Sequence, residues 1–264
     1  MKNKPKVLLV AGCSHSAGCE IFVKSSQQDP RFHTERSYRE LKEKEIYHSF
    51  GGHIARKNNL IHVNVASPAT DNLGIIKNTI KKINQLLKEY KPYEIVVLVG
   101  WTGFFRLTFN MNSDLSKIED RNLRKLWKLW SKLVIDIDTN DQIFLYQFLR
   151  SFLREKNISY YMFNAMHSMQ FPTDDVLINS TIKFVPSGFW NHTYDSTPDF
   201  EGFKILSKDC YFRYPFSQEE TYMDYLIKRG CSPKNKKEWN HFDEAGHIMW
   251  ADVLNKEMLE LNLF

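Results

Sequence analysis

The chain has 264 residues, 42% of them hydrophobic and 14% aromatic, which is enough apolar material for a large core and too much for a disordered segment. Its formal charge of +5 tolerates anionic partners without marking a nucleic-acid binder. No apolar run approaches the roughly 20 residues of a membrane helix, the polar opening Met1 to Lys6 lacks the apolar stretch of a secretory signal, and four irregularly spaced cysteines do not make a disulfide framework. A cytoplasmic location with no membrane partner is the expectation.

In chain order, Lys6 to Ala11 reads as a strand buried on both faces, and it breaks into Gly12-Cys13-Ser14-His15-Ser16-Ala17-Gly18. A helix is expected from about Ser37 to Lys57 and a second strand over Ile61 to Ala66. Ile76, Ile80, Ile83 and Leu87 recur at helical spacing within Asp71 to Tyr90, ahead of a third strand over Glu94 to Gly100. Leu145, Phe148, Leu149, Phe152 and Leu153 form a stripe on a helix over Asp141 to Lys156. A fourth strand follows at Ile158 to Phe163. Asp243 is a good N-cap for the last helix, with Ile248, Met249, Val253 and Leu254 expected to face inward.

This alternation predicts an α/β domain spanning residues 1–264, with a doubly wound parallel sheet. Two stretches fit poorly, 107–133 and 168–237. Both are read as insertions at the ligand-bearing edge, forming a lid or specificity wall. The cationic and apolar residues of Arg121 to Lys132 have the spacing of a packed amphipathic helix.

The first strand delivers Ser14 to the carboxyl edge of the sheet on a glycine-flanked turn, where a nucleophile would be lifted clear and backbone N–H groups would stabilise an oxyanion. A plain tight turn with capping serines accounts for the same residues. The segment lacks the lysine of a phosphate loop and the third glycine of a dinucleotide fingerprint. Cys13 is a possible thiol nucleophile, although a buried cysteine at a strand end is the commoner outcome. Cys13 and Cys19 are separated by five residues, as are His241 and His247. Neither gap has a usual metal-ligand spacing, so no metal is expected there.

Gly12-Cys13-Ser14, Asn64 to Asn72, Gly100-Trp101-Thr102-Gly103 and the segment from His241 to His247 fall in the order of the four motif blocks of the SGNH (GDSL-like) hydrolase superfamily, which the chain resembles. The cysteine after the first glycine and the Gly-Trp-Thr third block look like divergent members often encoded by bacteriophages. The resemblance implies a three-layer α/β/α, flavodoxin-like fold and a serine hydrolase that needs no cofactor.

It makes Ser14 the nucleophile and a backbone oxyanion donor. Ala69 takes the place of the second-block glycine, whose N–H is another donor. Thr102 stands where the family has an asparagine as third donor, so that Asn72 or the backbone from Gly100 to Gly103 would take over. His241 becomes the general base and Glu238 the carboxylate that orients it. An alternative register pairs Glu244 with His247.

Beside these, Arg106 is a candidate for an anionic substrate group or a surface salt bridge, and His15 for substrate contact or a turn cap. Trp101 is a candidate for stacking on a sugar or for the core. The implied function is hydrolysis of a small-molecule or carbohydrate ester through an acyl-enzyme. An O-acyltransferase using the same groups, or a non-catalytic binding protein with a degenerate site, stands as the alternative.

Overall fold

A computed structural model describes residues 4–19, 21, 35–68, 70–102, 139–165, 167–169, 182–186, 194–196, 221–231 and 241–264. Ala69, Arg106, Glu238 and the expected insertion 107–133 lie outside the described residues.

Strands β1 (Val7–Gly12), β2 (Ile61–Asn64), β3 (Ile95–Trp101) and β4 (Ser159–Asn164) pair in parallel as one four-stranded sheet of order β2-β1-β3-β4. β1 and β3 occupy its middle, buried along their whole length, which is why they read as unbroken Val, Ile and Leu runs. The chain order reverses between β1 and β3, and a doubly wound sheet opens its ligand crevice at such a reversal, beyond the carboxyl ends of the strands.

The helices in chain order are α1 (Ser14–Ala17), α2 (Glu35–His48), α3 (Phe50–Lys57), α4 (Asn72–Leu86), α5 (Thr139–Glu155), α6 (Tyr222–Lys228) and α7 (Glu244–Glu260). Alternate side chains of the strands divide the core in two. Val7, Leu9, Val97 and Val99 meet Ile75, Ile76 and Ile83 of α4 and Tyr146, Leu149 and Leu153 of α5. Leu8, Val10, Val96 and Leu98 meet Phe50 and Ile54 of α3, Tyr222 and Leu226 of α6, and Trp250 and Leu254 of α7. The result is three α/β/α layers, with each buried Val, Leu or Ile contributing roughly 1.5–3 kcal/mol. A separate antiparallel sheet joins β5 (His167–Met169), β6 (Ile182–Pro186) and β7 (Tyr194–Ser196) in that order. Among the described residues no helix is long and apolar enough to cross a membrane.

Three local details differ from the sequence reading. The helix expected over Ser37 to Lys57 breaks at Ser49, whose hydroxyl donates to the Ile46 carbonyl (2.7 Å) and accepts from the Gly52 N–H (3.3 Å), closing α2 and capping α3 at one corner. Ile248 faces outward, because α7 presents His247, Trp250, Ala251, Leu254 and Met258 to the core. Phe148 is likewise exposed on α5, where Tyr146 takes the inward position. Within the stretch 168–237, α6 enters the core through Tyr222, Met223 and Leu226.

Candidate active site

The carboxyl edge of the sheet is built around two glycines. Gly12 and Gly100 stand opposite each other in the β1/β3 register, and Ser16 packs over both. A Cβ on Gly100 would lie 2.5 Å from Ser16 Oγ and 2.6 Å from the Phe163 ring, while one on Gly12 would collide with Ser16 and with the Gly100 carbonyl. Only residues without side chains let α1 sit this close to the strands. The single turn of α1 then ends on Gly18 in the left-handed region (φ 71°).

Two asparagines tie the loops of this edge together. Asn64 Nδ2 donates to the Ser16 carbonyl (3.0 Å), and its Oδ1 accepts from the Ala66 N–H (2.9 Å). The Ser67 N–H bonds the Gly12 carbonyl at 3.1 Å. At the other side, Asn72 Oδ1 accepts from the Thr102 N–H (3.0 Å) and Nδ2 approaches the Thr102 carbonyl at 3.5 Å, joining the start of α4 to the end of β3. Both groups are buried, where such bonds are costly to break. The Thr102 backbone is therefore engaged by Asn72 and Asn72 by Thr102, and the loop is braced from behind.

Ser14 opens α1, with Cys13 as its N-cap. His241 lies two residues before Asp243, whose carboxylate accepts from the Gly246 N–H (3.1 Å) and caps α7 as the sequence predicts. Phe242 between them is fully buried and anchors the approach to the helix. These restraints bring His241 against His15, the neighbour of Ser14, with ring centroids 4.8 Å apart. Ser14 and His241 are each 7% exposed. Residues from opposite ends of the chain therefore meet at one sheet edge.

The ring cluster continues inward. Tyr222 lies 5.4 Å from His15 and 5.9 Å from His247, and complete burial holds its phenol well above the ordinary range, in the protonated form. His247 is 1% exposed and stacks on Phe50 at 5.8 Å. Its Nδ1 accepts the Phe50 N–H at 3.2 Å, which leaves the ring proton for Nε2, 3.5 Å from the Tyr222 hydroxyl. Glu244 turns away and bonds His48 Nδ1 at 2.5 Å. The alternative Glu244–His247 register thus resolves into a packing histidine and a carboxylate with another partner.

Cys13 is fully buried among apolar side chains, and Trp101 is a core residue stacked on Tyr146 at 4.2 Å. Sequence reasoning did not single out Asn64 or Tyr222 individually. An asparagine ending a strand is a signal for side-chain bonding to nearby backbone, whereas nothing local marks Tyr222, which lies in the stretch read as an insertion.

No protein-family model and no curated protein matches the sequence. A solved structure of a carbohydrate esterase, whose active site is described as displaying divergent catalytic and non-catalytic binding functions, is similar at 15% identity and a TM-score of 0.33. The similarity covers 62% of this chain and 50% of that one, so the chain matches half the length of that structure.

Proposed function

We propose that the protein is a serine esterase of SGNH type acting on a small-molecule or carbohydrate ester. The observation that carries this reading is that His241 packs on His15, the neighbour of Ser14 on the turn leaving β1 at the chain reversal of the sheet. In this mechanism His241 takes the proton of Ser14 Oγ as the oxygen attacks the ester carbonyl. The tetrahedral oxyanion is held by the Ser14 N–H and by the N–H of Ala69. His241 then protonates the leaving alcohol, and water activated by the same imidazole releases the acid.

Glu238 is the proposed orienting carboxylate, Arg106 the proposed contact for an anionic substrate group, and His15 lines the approach to the serine. With the Thr102 N–H donating to Asn72 Oδ1, the third oxyanion donor is assigned to the Gly103 N–H, the Thr102 hydroxyl or the Asn72 side-chain amide. The segments 107–133 and 168–237 would supply the walls of the substrate pocket.

The test is hydrolysis of an activated acetyl ester by the wild type and by Ser14→Ala and His241→Ala. Each substitution is expected to lower kcat by at least about a thousandfold, since the groups act as a unit, and a fluorophosphonate is expected to label Ser14 in the wild type. Wild-type turnover no faster than that of either variant, with no labelling, overturns the esterase and favours a binding protein. Labelling with very slow hydrolysis favours an acyltransferase lacking its acceptor.

A further inference from the structure

A second group of chemistry-bearing side chains assembles where α2, α3 and α7 meet. His48 ends α2, His53 lies one turn into α3, and Glu244 begins α7. The α2–α3 corner made by Ser49 turns both imidazoles toward the start of α7. His48 Nδ1 lies 2.5 Å and His53 Nε2 3.7 Å from the same oxygen, Glu244 Oε1, and the three ligand atoms fall within 4.8 Å of one another. All three side chains are partly buried.

A tetrahedral zinc ion with bonds of about 2.0–2.1 Å holds its ligand atoms about 3.3 Å apart. The three atoms bracket that spacing, so movements of about an ångström bring them onto one ion. Two imidazole nitrogens and one carboxylate oxygen are a donor set zinc accepts, leaving a fourth position for water.

We propose that His48 Nδ1, His53 Nε2 and Glu244 bind one zinc ion, which pins the start of α7, three residues beyond His241, to the α2–α3 corner. Binding needs bare His48 Nδ1 and His53 Nε2, so the ring protons sit on His48 Nε2 and His53 Nδ1, and any further proton held by the His48–Glu244 pair is released to solvent. Burial and the Arg56 charge already hold the His53 pKa below its ordinary value, favouring the neutral ring that a metal requires.

Arg56 is the group that opposes the ion. Its Nη2 lies 2.9 Å from His53 Nδ1, on the far side of the ring from Glu244. On zinc binding the guanidinium gives up that nitrogen and keeps the Tyr47 carbonyl and the Tyr47 ring, which it covers at 3.9 Å.

The test titrates zinc into the full chain, freed of metal by chelator, in competition with a chromophoric chelator. Cobalt substitution provides a visible spectrum. One zinc per chain is expected at this site, with affinity at least about tenfold weaker in Glu244→Gln and in His53→Gln. Arg56→Gln is expected to bind tighter. Zinc should also raise the Tm of the wild type and leave that of Glu244→Gln unmoved; this variant keeps the helix start and serves where a histidine variant fails to fold. No zinc binding by the wild type, or one affinity shared by wild type, Glu244→Gln and His53→Gln, overturns the site. The outcome is independent of ester hydrolysis, so either inference can fail alone.

Discussion

His62 on β2 is mostly buried, beside Arg56, and desolvation followed by that charge lowers its pKa from 6.5 to about 4. The unfolded chain takes up a proton near pH 6.5 that the folded chain refuses until about pH 4. Its contribution is complete above the unfolded value and is lost as pH falls through that window, by up to about 3 kcal/mol. Urea midpoints measured from pH 7 to pH 4 should fall in the wild type and fall less in His62→Gln.

At the same scale, Gly100→Ala places a methyl group 2.6 Å from Phe163. That ring is held edge-on by Phe50 and Trp250 and has nowhere to move. The substitution should cost about 1–3 kcal/mol, seen as a lower urea midpoint at unchanged m-value.

Among the elements, the start of α7 carries the most consequence, because its cap lies beside His241. Asp243→Ala should remove about 1 kcal/mol and lower Tm by about 2–4 °C. Asp243→Asn, which retains an acceptor for the Gly246 N–H, should retain most of the stability and, under the proposed esterase function, most of the ester turnover. This cap was readable from the sequence, as were β1 and β3, because N-cap chemistry and two-face burial are local signals. The corner at Ser49 was not readable, since the 3.6-residue pattern runs on through it and only the doubled use of one hydroxyl reveals the break. The inward role of Trp250 in place of Ile248 depends on how α7 is rolled against α3, which periodicity alone does not specify. That His241 comes to the turn carrying Ser14, where it packs on His15, could be anticipated from motif order, whereas His48, His53 and Glu244 are joined only by packing across 196 positions of sequence.

For the whole molecule, the two halves of the core share the same strands. Every residue of β1 is buried, and successive side chains serve α4 and α5 on one face and α3, α6 and α7 on the other. Neither half can open without exposing the other, so unfolding should be a single cooperative event. Trp101 reports the first half and Trp250 the second. In two otherwise tryptophan-free variants, each keeping one of these indoles, fluorescence should follow superimposable urea transitions. Separated midpoints would mean that the layers melt independently.

The facing glycines leave α1 a seat with one admissible occupant. Ser16 is wedged against both strands at once, so the roll of this one-turn helix about its axis is dictated by a side chain that itself need never touch a ligand. Enlarging that wedge to threonine should tip the whole turn and swing the Ser14 hydroxyl off its bearing. The loss would appear as slower probe labelling in a protein whose reactive groups are all still present.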